Sequence, residues 1–87
     1  MMAKATMTNQ ELLEKVKTFA AKMVWYCVKG DPGQTRRWGE RMKCGKWCAK
    51  QRGIDMKLVE KFEVDGAHMA VEAAAKGDST EWMEVLA

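Results

Sequence analysis

Residues 8–34, TNQELLEKVKTFAAKMVWYCVKGDPGQ, decide the fold class. Thr8-Asn9-Gln10-Glu11 is a capping box, in which a hydroxyl accepts from the backbone three residues on and a glutamate reaches back to the cap. Behind it Leu12, Val16, Phe19, Met23 and Cys27 recur at three- and four-residue spacing, the stripe of an amphipathic helix facing a core. Gly30 is a natural stop. Asp31-Pro32 then restarts the chain as a cap and a first helical residue, where proline forfeits only an N–H that the helix cannot use. The apolar run Met23–Val28 is the one tempting strand, but it continues the helix and contains no breaker.

The second helix reads from Pro32 to about Gln51 and stops at Gly53. Gly39 and Gly45 lie inside it, each costing up to about 1 kcal/mol relative to alanine. They imply a local break or, the reading favoured here, close approach of another helix. Asp55 caps a third helix carrying Leu58, Val59 and Phe62. Asp65-Gly66 reads as an interruption, followed by an alanine-rich helix from His68 to Lys76 that Gly77 ends. Asp78-Ser79-Thr80-Glu81 is a further cap-like box ahead of Trp82, Met83, Val85 and Leu86. The expectation is an all-α protein, a compact bundle of four to five short helices. Residues 8–87 would form a single domain behind a flexible tail at 1–7.

The chain of 87 residues is 47% hydrophobic, with four Trp, eight Met and a single Pro, so it suits one small folded domain rather than a disordered segment. No apolar stretch approaches the roughly 18 residues of a membrane span. The first residues carry neither an apolar core nor a cleavage signature, so no signal peptide is expected. The three cysteines are an odd number and a poor disulfide framework, which favours a reducing cytoplasm and free thiols. Cys27, on the core stripe, reads as a small buried residue. The methionines suit gap-filling in a small core, with an adaptable binding groove as the alternative.

Net charge is only +3, but it is unevenly spread. Residues 32–53 hold Arg36, Arg37, Arg41, Lys43, Lys46, Lys50 and Arg52 against Glu40 alone, while residues 54–87 carry a net −5. On a helical wheel Trp38, Met42, Gly45 and Ala49 share a packing stripe. Arg37, Arg41 and Arg52 flank it on one side, and Arg36, Lys43, Lys46 and Lys50 on the other. Trp47 falls near the middle of the polar face, one turn from Lys43 and Lys50. Two readings stay open: Trp47 turns into the core near Gly45, or it is an anchor. As an anchor it would meet an acidic protein or stack on a nucleobase while lysines meet phosphates.

From Cys48 the chain runs Cys48-Ala49-Lys50-Gln51-Arg52-Gly53-Ile54-Asp55-Met56-Lys57-Leu58-Val59-Glu60-Lys61-Phe62. This stretch, about a sixth of the chain, resembles the core of the helix-turn-helix motif. Ala49 matches the small contact position, Gly53 the turn, Ile54 the residue beneath it, and Val59 and Phe62 the buried face. The resemblance implies a second helix that enters the DNA major groove and presents Lys57, Leu58 and Lys61. Arg52 departs from the pattern, standing where the family carries an apolar residue. Glu60 and Glu63 put negative charge where phosphates would approach.

Cys44 and Cys48 lie one helical turn apart, and Cys27 with His68 would complete a Cys₃His zinc set. Zinc pairs more often use two or four intervening residues in a loop, and a lone histidine is more often a capping or surface residue. No nucleophile–base pair, paired carboxylates or phosphate loop is present, so no enzyme and no cofactor are expected. The sequence points to a regulatory binding protein that uses a basic, Trp-containing helix at about 35–52 against an acidic protein surface. Its size suits an inhibitor of a host or phage machine. Nucleic-acid binding is the alternative and a metal-thiolate protein the third reading. No membrane partner is expected, and self-association through Trp47 stays open.

Overall fold

A computed structural model describes residues 7–77 and 79–85 of the chain. Three α-helices, α1 (Asn9–Val28), α2 (Pro32–Gln51) and α3 (Met56–Lys76), are followed by a short 3₁₀ helix, η1 (Thr80–Val85). The regular structure among the described residues is thus helical, without a strand, and none of their helices is long and apolar enough to cross a membrane. The expected tail falls almost wholly outside the described residues. Its last residue, Met7, offers its carbonyl to the Arg52 guanidinium at 2.6 Å.

The caps follow the sequence. The Thr8 hydroxyl accepts from Glu11 N–H at 3.1 Å, and the Glu11 carboxylate accepts from Thr8 N–H at 2.9 Å. That reciprocal bonding stabilises the carboxylate form and holds the Glu11 carboxyl below the usual glutamate range. Asp31 caps α2 through Gln34 N–H at 3.1 Å, with Pro32 at the first helical position. Gly30 and Gly53 adopt φ of 79° and 76°. At the second corner Gly53 N–H donates to Lys50 O and Ile54 N–H to Ala49 O, satisfying carbonyls that the helix end would otherwise orphan.

Four to five helices were expected, and the described residues form three α-helices and one 3₁₀ turn. The difference lies at Asp65-Gly66, through which α3 runs unbroken. Gly66 is a contact residue rather than a stop: a Cβ there would collide with the Lys17 carbonyl oxygen and crowd Ala21 N. Its missing side chain lets the α1 and α3 backbones meet. Gly45, facing Val16 and Phe19, and Gly39, facing Met23, do the same more loosely for α2. Close approach, not a break, explains both.

These pairings run Val16 to Gly45 and Met23 to Gly39, so α1 and α2 are antiparallel, whereas α1 and α3 run in the same direction. α1 lies between the other two, which scarcely touch beyond their corner. One cluster gathers Leu12, Leu13, Val16, Ala20, Met42, Ala49 and Val59. A second, at the other end, holds Trp25 with Ala70, Ala73 and Met83. Trp25 is 2% exposed and packs edge-on against Trp82, ring centres 5.4 Å apart. Cys27, expected in the core, is exposed. The Leu12–Met23 stripe ends before it, because Cys27 faces the α1–α2 turn, where Gly30, Pro32 and Thr35 leave a hollow of about 370 Å³.

Candidate binding face of α2

The outer side of α2 carries Trp47, 63% exposed, with Lys43 and Lys50 exposed one turn to either side. It is held outward because Met42, Gly45 and Ala49 on the opposite side are buried against α1, as the wheel predicted, with Trp38 half-buried at the end of the same stripe. Arg36, Arg37 and Arg41 are also exposed. They border a shallow groove of about 630 Å³ between α2 and Phe19 of α1, into which Cys44 and Cys48 face.

Lys46 differs from its neighbours. Its ammonium lies 2.9 Å from the Glu63 carboxylate and ties α2 to α3, so its charge is already engaged within the fold. Arg52, on the same helix end, donates to Met7 O and Asn9 Oδ1, clamping the corner to the start of α1. Such a clamp accounts for a cation at a position that would be apolar in a helix-turn-helix.

At that corner Ala49 and Val59 are fully buried, Ile54 and Phe62 are half-buried, and Lys57, Leu58 and Lys61 are exposed. Lys57, Leu58 and Lys61 lie on α3, not on the helix that carries Trp47. Positive charge concentrates on α2, whereas α3 carries Glu60, Glu63, Asp65 and Glu72 against Lys57, Lys61 and Lys76.

The thiol–imidazole set does not come together. Cys44 and Cys48 share the α2 groove, Cys27 lies at the α1–α2 turn, and His68 is exposed on α3. Among the described residues no three of His, Cys, Asp or Glu are grouped to hold a metal. All three thiols are exposed and free.

Trp38 was read only as a packing residue, and it does more. Its ring stacks on Phe19, centres 5.9 Å apart and 28° between planes. Lys22 Nζ lies 4.4 Å from the ring centre, and the Arg41 and Arg37 guanidinium carbons at 4.9 and 5.5 Å. Lys22 was not singled out in the sequence. Its position between Phe19 and Tyr26, at helical spacing on one edge of α1, was visible there; the indole it meets on α2 was not.

No protein-family profile, curated protein or solved structure matches this chain.

Proposed function

We propose that this protein is a non-enzymatic regulatory binding protein of the cytoplasm, which presents α2 to an acidic surface on a protein partner. The observation that carries the reading is the 63% exposure of Trp47 amid Lys43 and Lys50, opposite the face that packs on α1. A tryptophan left in water forfeits the burial that large aromatic rings supply, about 150–250 Å² each, and a partner that covers it recovers that burial. Cations around such an anchor steer an acidic surface into register and raise the association rate. Arg36, Arg37 and Arg41 extend the charged area along the helix, while Lys46, paired with Glu63, adds little. A small inhibitor that occludes an acidic site on a host or phage machine has this form.

Nucleic acid is the second reading, favoured by the same juxtaposition of an exposed indole and flanking lysines, which suits base stacking with phosphate contacts. The helix-turn-helix resemblance belongs to it and assigns Lys57 and Lys61 to the bases. Self-association through Trp47 would appear as a concentration-dependent mass in light scattering.

The deciding experiment is affinity purification of a partner from the source cells, with and without nuclease, alongside titration of duplex DNA and single-stranded RNA at about 50 and 200 mM salt. A partner protein retained after nuclease and lost with Trp47→Ala or Lys43→Glu supports the proposal. Tight nucleic-acid binding, weakening by roughly one log unit per log unit of salt for each phosphate neutralised, overturns it in favour of the second reading.

A further inference from the structure

A second site, independent of Trp47, lies where α1, the first half of α2 and η1 meet. A cleft of about 220 Å³ is walled there by Lys22, Tyr26, Trp38, Thr80 and Met83. Four of these five side chains carry hydrogen-bond donors, and among the described residues no carboxylate lines the cleft. At about 30 Å³ per water, the space would hold a tetrahedral oxyanion with part of its hydration shell.

Lys22 is the one charged residue among the described lining of the cleft, and Arg37 and Arg41 lie beyond the indole in the groove that Glu40 also lines. Lys22, Arg41 and Arg37 all bring their charged heads within 5.5 Å of one ring centre, that of Trp38. Among the described residues none of the three makes an ion pair; the pair that does form joins Lys46 to Glu63. Attraction to the ring face holds each cation, but their mutual repulsion remains. Trp38 Nε1–H, like Trp82 Nε1–H, is buried without an acceptor. The donor-lined cleft and the cations around the indole share Trp38, and both suit an anion with several acceptor oxygens.

We propose that this cleft binds a phosphoryl dianion, as free orthophosphate or as a phosphate monoester. Lys22 supplies the charge-assisted contact, and the Tyr26 and Thr80 hydroxyls donate from α1 and η1. Arg41 and Arg37 strengthen the field from the far side of the indole. Donors arriving from two helices and a turn suit a tetrahedral group with oxygens in several directions better than a planar carboxylate. Binding would fasten η1 to α2, two elements that otherwise meet chiefly through α1.

The test uses the full chain and follows the four indole N–H signals in ¹H–¹⁵N spectra. Sodium phosphate and glycerol phosphate are titrated at constant ionic strength, with sodium acetate as the carboxylate control. The expected result is a saturable shift of the Trp38 signal with a dissociation constant of about 1 mM or tighter. Lys22→Met should weaken binding by about tenfold, Tyr26→Phe by a smaller factor, and Trp47→Ala not at all. Saturation by both phosphates identifies the phosphoryl group as the ligand; saturation by orthophosphate alone restricts the site to the free anion. A linear, unsaturated response, an equal response to acetate, or full binding by Lys22→Met and Tyr26→Phe overturns the proposal. Loss of partner binding by Trp47→Ala reads the other face alone, so the two proposals fail separately.

Discussion

Gly66 of α3 rests directly on the Lys17 carbonyl of α1, with no room for a methyl group between the two backbones. Helix propensity alone would make alanine the better residue in mid-helix by about 1 kcal/mol. Here the contact outweighs propensity, because backbone cannot yield as a flexible side chain can. Gly66→Ala should destabilise the fold by about 1–3 kcal/mol, the range for forced overpacking. Gly39→Ala is the control: its new methyl would meet only the flexible Met23 side chain, Sδ at 3.2 Å. There the propensity gain of up to about 1 kcal/mol offsets the shift asked of Met23, so that variant should be no more than about 0.5 kcal/mol less stable than the parent. Urea denaturation of the three proteins checks both expectations.

The capping box sets an acid-side dependence. The Glu11 carboxyl is held low by the backbone and hydroxyl of Thr8. A depressed folded value means that its contribution is present above the unfolded glutamate range and is lost as pH falls through the folded value. The stability difference between the parent and Glu11→Gln should therefore be full at neutral pH and shrink as the solution is acidified below the ordinary glutamate range. Thr8→Ala, which removes the hydroxyl acceptor, should cost about 1 kcal/mol at neutral pH. Thermal melts across the acid range measure both.

Trp25 and Trp47 should separate stability from recognition. Trp25, 2% exposed beneath Trp82 and Met83, anchors the second cluster. Its replacement by alanine should cost about 3–5 kcal/mol, a large share of the stability of so small a domain. Trp47→Ala should change stability by less than about 0.5 kcal/mol while abolishing partner capture. Paired denaturation and binding assays distinguish the two.

The three exposed thiols should all react with a soluble disulfide reagent in the native state, at rates close to those in denaturant. A slow fraction would mean that at least one thiol is shielded.

Much of the fold was legible in the sequence because its signals are local. Thr8, Asp31 and Asp55 cap where the residue types say they should, and Gly30, Gly53 and Gly77 end the helices. The packing side of α2 was legible too, since Met42, Gly45 and Ala49 contact one neighbour at helical spacing. α1 was harder. A helix with neighbours on two sides buries two stripes, and Leu13, Ala20, Ala21 and Trp25 belong to the second, which a search for one amphipathic face passes over. Gly66 misled because a glycine that ends a helix and one that admits a neighbouring backbone are the same letter. The cleft that joins Trp38, Lys22 and Thr80 was not legible, because three elements must assemble before it exists.

The central place of α1 also divides evolutionary freedom unequally along the chain. A substitution on either buried stripe of α1 disturbs its contact with α2 or with α3, so α1 carries constraints on two of its sides. The outward stripe of α2 answers to none within the monomer. A substitution there leaves the contacts that hold the three helices together untouched.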